Sequence, residues 1–138
     1  MHELQAKWGA AIIEISDAYL SEGDFTGAAS NAAAALYGYG HSNVLFKPTK
    51  AAEHPFRPTG TGALSYFIGG ENVEGGFSED KGFAHNVGKG WNQVEFENVQ
   101  IDLVGNMTIA MGHCIFTAAT VEDEGGKVRV EGRFFCIV

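Results

Sequence analysis

The chain divides in two. Residues 3 to 36 carry apolar side chains at helical spacing, and residues 91 to 138 read as long strands with no proline among them. Between them lies a stretch punctuated by glycine and proline, with one short helix near 60 to 68. Helices at the front and antiparallel strands at the back make an α+β layer fold. Long strands twist and curve, and helices laid across such a sheet can close it into a cone with an interior. The expectation is α+β: a cone-shaped, curved antiparallel sheet packed against three N-terminal helices, in one domain spanning 1–138.

The local signals support that order. Leu4, Trp8, Ala11, Ile12, Ile15, Ala18 and Tyr19 recur every three or four residues and form one apolar stripe. Gly23 suits a helix end and Asp24 an N-cap, so a second helix runs from about 25 to 36, rich in alanine. Tyr37-Gly38-Tyr39-Gly40 ends it, and Val44-Leu45-Phe46 reads as a short strand. Residues 71 to 90 read as a mobile, glycine-rich loop around Gly82-Phe83-Ala84. Strands are expected over 93–104, 108–121 and 127–138, with turns at Gly105-Asn106 and Glu124-Gly125-Gly126. A hairpin centred on Gly125 pairs Phe116 with Phe134 and Cys114 with Cys136. The two thiols are then expected in contact, buried and reduced.

Composition excludes several classes. Seventeen acidic against nine basic side chains give a net charge of −8, the opposite of a nucleic-acid footprint. No apolar run approaches the roughly 20 residues of a membrane span, and the N-terminus lacks a signal-peptide pattern, so the expected location is cytoplasmic. Two cysteines and five histidines without ligand-like spacing point to no metal site and no cofactor.

Several segments carry a resemblance. They are Val44-Leu45-Phe46-Lys47-Pro48-Thr49, Ala63-Leu64-Ser65-Tyr66-Phe67, Glu79-Asp80-Lys81-Gly82-Phe83-Ala84, Trp91 and Ala110-Met111-Gly112. With the order of elements, they resemble the nuclear transport factor 2-like superfamily, which includes the SnoaL-like polyketide cyclases. More closely, they resemble a bacterial family whose members have carried the name phosphoribosyl-AMP cyclohydrolase. The resemblance implies the cone fold and a further, final strand that this sequence lacks. A cyclohydrolase would need a cluster of cysteine and histidine ligands, and the residues do not supply one.

The candidate site residues follow from alternation. Met111, His113, Ile115 and Thr117 share one strand face, and Glu131, Arg133, Phe135 and Ile137 share a face of the next. His113, Glu131 and Arg133 among apolar neighbours, with Tyr37 and Trp91, suit an apolar pocket with a few polar groups. His54, Lys47, Lys50 and Arg57 form the one basic cluster, expected as a solvated loop. The leading functional expectation is a domain binding a small, largely apolar organic ligand without catalysis. The alternatives are a metal-independent isomerase, dehydratase or cyclase using His and carboxylate groups, or a pure dimerisation or assembly domain. A homodimer through strand faces is expected.

Overall fold

The computed structural model describes residues 1–120 and the backbone of residues 127–137. Helix α1 spans His2–Leu20, α2 Phe25–Tyr37 and α3 Gly60–Ile68. Strands follow as β1 Trp91–Val104, β2 Met107–Ala118 and β3 Lys127–Ile137, in one antiparallel sheet of order β1-β2-β3. The α+β expectation holds, with the helices gathered on one face of the sheet. Helix α1 lies on β1, and α2 packs against α1 and α3.

The helix ends obey their local chemistry. Asp24 caps α2 by accepting from the Gly27 amide at 2.8 Å, and Thr59 caps α3 by accepting from Gly62 at 3.1 Å. Gly38, with φ of 68°, ends α2 in the left-handed conformation that glycine adopts without penalty.

Three features seat α1 on the sheet. Ile12 and Ile15 are buried in the common core. Gly9 faces Val94, so α1 approaches β1 closely. Polar bonds then fix the register. Trp91 N–H donates to Ser16 Oγ at 2.6 Å, and Gln5 and Asn98 exchange amide bonds of 2.8 and 2.9 Å. On β2 the residues Thr108, Ala110, Cys114, Phe116 and Ala118 are buried, and the alternate positions are not. A bulge at Val99 places Asn98 opposite Gly112 and Gln100 opposite Met111.

Four expectations are corrected here. First, Val44–Phe46 forms no strand; the segment is extended, with Leu45 fully exposed and Phe46 turned inward. A three-residue apolar run without a neighbouring edge has nothing to pair with. Second, Cys114 lies opposite Val130 and Cys136 opposite Thr108, six positions from the expected pairing. At about 3.3 Å per residue the two backbones are about 20 Å apart along the strand. The reason is the connection: β2 ends at Ala118, not 121, and the β2–β3 register is not centred on Gly125. Third, residues 71 to 90 are built around short 3₁₀ turns at Gly70–Asn72 and Phe83–Gly88, with Asp80, Ala84 and His85 buried. Fourth, Arg57 is not solvated but 1 % exposed.

Candidate active site

Six aromatic residues meet in a closed circuit on the helix side of the sheet. Trp8 of α1 donates from Nε1 to Tyr37 Oη, at the end of α2, over 2.9 Å. Tyr37 meets Phe46 with ring centroids 5.2 Å apart, and Phe46 meets Tyr66 of α3 at 5.9 Å. Tyr66 stacks on Phe83 at 5.3 Å, Phe83 meets Phe116 of β2 edge-on at 5.2 Å, and Phe116 returns to Trp8 at 6.1 Å. Each ring is delivered by a different element. Tyr66 and Phe116 are buried, whereas Trp8, Tyr37, Phe46 and Phe83 are half-buried and form the outer rim.

The phenol of Tyr66 is the buried polar group of this circuit. Burial pushes its pKa well above the usual tyrosine value, and the nearby Asp80 carboxylate acts in the same direction. The hydroxyl keeps its proton at neutral pH and remains a hydrogen-bond donor.

Behind Tyr66 lies a buried network of charges. Arg57 donates from Nη1 to Asp80 Oδ2 at 2.7 Å and from Nη2 to Asp80 Oδ1 at 3.1 Å. Its remaining bonds go to the carbonyls of His54 and Gly62 and to Glu79 Oε1. Ser65 Oγ donates to Asp80 Oδ2 at 2.5 Å and accepts from the Phe77 amide at 2.8 Å. Glu79 accepts from the three successive amides of Ala52, Glu53 and His54, at 2.9, 2.9 and 2.7 Å. Those bonds, that of Glu53 first, with Arg57 behind them, hold its carboxyl down to about 2. A bidentate pair with every remaining donor satisfied is what a buried guanidinium requires.

The sequence-predicted residues fall in two places. Tyr37 belongs to the circuit. Trp91 packs behind it, 5.1 Å from Phe116, and donates from Nε1 to the Phe83 carbonyl at 2.8 Å. His113 lies on the opposite face of the sheet, its Nδ1 3.9 Å from Glu97 Oε2. Glu131 and Arg133 occupy backbone positions opposite His113 and Met111, and their side chains lie outside the described residues. The structure thus brings Tyr37 and Trp91 together and sets His113 apart from them. Phe46, Tyr66, Asp80 and Phe83 lie in the segments that carried the resemblance and Arg57 in the basic cluster, but none was expected at the site. The available signal was an arginine held between Pro55 and Pro58 in an acidic chain, followed by adjacent acids at 79 and 80. Among the described residues, no three His, Cys, Asp or Glu side chains converge as metal ligands.

Comparisons with known proteins give the circuit a context. A family model described as metal-independent carbonic anhydrase matches residues 1–135. A metal-independent carbonic anhydrase of Nostoc sp. strain PCC 7120 is 39 % identical over 145 residues, covering 91 % of this chain. This chain spans 66 % of that relative's length. The crystal structure of an iota-carbonic anhydrase from a cyanobacterium, complexed with bicarbonate, superposes with a TM-score of 0.81 at 35 % identity. That similarity covers 95 % of this chain and 76 % of the other. These findings overturn the assignment to the nuclear transport factor 2-like, SnoaL-like or cyclohydrolase-named families. They also overturn the expectation of a binding domain without catalysis. The segments that carried the resemblance report a fold order, and fold order does not identify chemistry.

Proposed function

Because the chain belongs to the metal-independent carbonic anhydrase family, we propose that it interconverts carbon dioxide and bicarbonate, with the circuit around Tyr66 as the reacting site. In hydration the water oxygen bonds to the carbon of CO₂. One C=O electron pair moves onto oxygen, and the water gives up a proton, leaving bicarbonate and H⁺. The reaction calls for an apolar berth for a substrate without a net dipole, a donor where negative charge develops, and restricted access for bulk water. The rings supply the first and third, and the Tyr66 hydroxyl supplies the second.

One geometric observation carries this reading: a buried phenol on α3, kept protonated, whose ring packs against Phe46, Phe67 and Phe83. Loss of a single donor of this kind costs about 10²–10³ in rate. Stopped-flow CO₂ hydration is the test. Tyr66→Phe, which keeps the ring stacking, is expected to lower the rate about 100-fold with the fold retained. A wild-type chain no faster than buffer, or a Tyr66→Phe variant as fast as wild type, would overturn the reading.

The same proposal includes a cytoplasmic, single-domain protein that pairs with a second copy through the outer sheet face. Val99, Val104 and Met111 are exposed there or at its rim. Sedimentation giving only monomer at micromolar concentration would remove the second copy.

A further inference from the structure

We propose that His85 is the positioning residue that holds the ring of Phe83 against Tyr66, and that it does so only as the neutral imidazole, so that a proton releases the ring. The catalytic arm of this inference rests on the carbonic anhydrase reading, and the conformational arm rests on geometry alone.

The ring of His85 is bonded at both nitrogens. The Gly88 amide donates to Nδ1 at 3.0 Å, and Nε2 lies 3.0 Å from the Ile68 carbonyl oxygen. An amide needs a lone pair opposite it and a carbonyl needs a proton, so the two bonds assign the tautomer with hydrogen on Nε2. An imidazolium keeps the bond to Ile68 but sets N–H against N–H at Gly88. No opposite charge waits for a cation there. The ring is 3 % exposed, stacked on Tyr19 of α1 at 3.9 Å and edge-on to Phe25 of α2 at 6.1 Å. Tyr19 is the titratable group that faces it from α1, α3 presents the Ile68 carbonyl, and β1 meets the turn through Trp91, which does not titrate. Among the described residues no carboxylate is in ion-pair contact with His85. The charged side chains nearest in sequence, Lys81 and Lys89, are cationic and exposed.

The bond to Gly88 closes a backbone that does not keep this shape unaided. Five residues of Gly82–Gly90 have positive φ, and two of them are not glycine: Asn86 at 51° and Val87 at 54°. Asn86 is braced by its own side chain, which donates to the Gly90 carbonyl at 3.3 Å. Val87 is β-branched, a residue type strained in this region, and it is exposed. Such a conformation persists only where bonds around it impose it. Here they are the Gly88 bond to the imidazole, the Gly90 amide bond to the His85 carbonyl and the Val87 amide bond to Gly82.

The same side chain ties the turn to the site. Ile68 is two residues beyond Tyr66, so the bond from Nε2 joins the turn to the helix that carries the phenol. Phe83, two residues before His85, stacks on Tyr66 at 5.3 Å and meets Phe116 at 5.2 Å. Ala84 between them is fully buried. Loss of the Gly88 bond lets Asn86 and Val87 relax, and the movement passes through two residues to the ring stacked on Tyr66. A shift of about an ångström at a reacting site costs up to about a hundredfold in rate.

The wild-type protein is titrated by NMR from about pH 8 downward until far-UV circular dichroism begins to fall. The His85 ring nitrogens, the Gly88 amide and the Tyr66 ring carbons are expected to move with one midpoint while the helices remain. His85→Phe keeps a ring on Tyr19 and loses both bonds. Its Tyr66 resonances are expected at the acid position at every pH, with Gly88 amide exchange about tenfold faster than in wild type. His85→Asn puts an uncharged acceptor three residues before the Gly88 amide, as an N-cap does, and is expected to show no acid step. In CO₂ hydration at about pH 8, His85→Phe should lower kcat about tenfold with KM within about twofold, and His85→Asn should recover part of that loss. A His85 ring that titrates while Tyr66 stays still, a ring that remains neutral until the fold is lost, or an acid step at Tyr66 that persists in His85→Phe overturns the proposal. A wild-type chain without CO₂ hydration, in which the three signals still titrate together, sinks the activity reading and leaves the latch standing.

Discussion

Glu79 shows how a single side chain can make a loop sensitive to acid. Its carboxyl is held at about 2, against an ordinary value of 4.5, chiefly by the Glu53, Ala52 and His54 amides and by Arg57. A depressed carboxyl contributes stability above its ordinary value, and the contribution fades as pH falls from about 4.5 towards 2. The amide resonances of Ala52, Glu53 and His54 should titrate together with a common midpoint near the folded-state value of about 2, not near 4.5. Glu79→Gln should abolish the common titration, and three amides moving independently would contradict the shared acceptor. Cys114 illustrates the opposite shift. Burial pushes its thiol up to about 12, so only about one part in ten thousand is thiolate at pH 8. Iodoacetamide should modify it at least 100-fold more slowly in the native protein than in urea, as read by peptide mass. Equal rates would show that the β2 interior is open. At this scale the sequence is a poor guide. Arg57 looks like one member of a basic cluster, and nothing local distinguishes it from Lys47 or Lys50 until Asp80 arrives from 23 residues away.

Elements were more readable than side chains. The stripe from Leu4 to Tyr19, the Asp24 cap and the Gly38 stop are short-range signals, and α1, α2 and α3 lie close to where they point. The strands too begin and end within a few residues of expectation, because period-two burial on β2 is a local property. Register is different. It depends on the connection after Ala118, and a short glycine pair was a misleading centre for the hairpin. The inner and outer faces of β2 were equally undetermined, since alternation says which residues share a face but not which face meets the helices. That is why His113 could be grouped with Tyr37 on paper, yet stands on the far side of the sheet. Gly112 gives an element-scale prediction. A Cβ there would collide with the Glu97 backbone carbonyl across the bulge, where the strand cannot move without breaking the ladder. Gly112→Ala should destabilise the fold by about 3 kcal/mol. An unchanged urea midpoint would show that the bulge relaxes freely.

At the scale of the molecule, the sequence conveyed architecture and withheld chemistry. The α+β order is visible in patterning, but the aromatic circuit is assembled from rings at positions 8, 37, 46, 66, 83 and 116, and no spacing rule links them. A site made by closure of the whole chain has no motif to find. On the proposed activity, CO₂ hydration is expected to be indifferent to metal, as the description of the matching family states. Dialysis against EDTA is expected to leave the rate within about 20 %, an order-of-magnitude allowance for assay scatter around a factor of one. A loss restored by zinc would count against the family's chemistry here.

The bond from Trp91 to Ser16 joins residues 75 apart in the chain. Helix α1 is thus made well before the sheet it packs on, although α2, made next, covers part of it. At about 5–20 residues per second, 75 residues take roughly 4 to 15 s to synthesise, during which Ile12 and Ile15 have no sheet to rest on. For that interval only α2 can cover the apolar face of α1, so the front of the chain is made as half of a core whose other half arrives last.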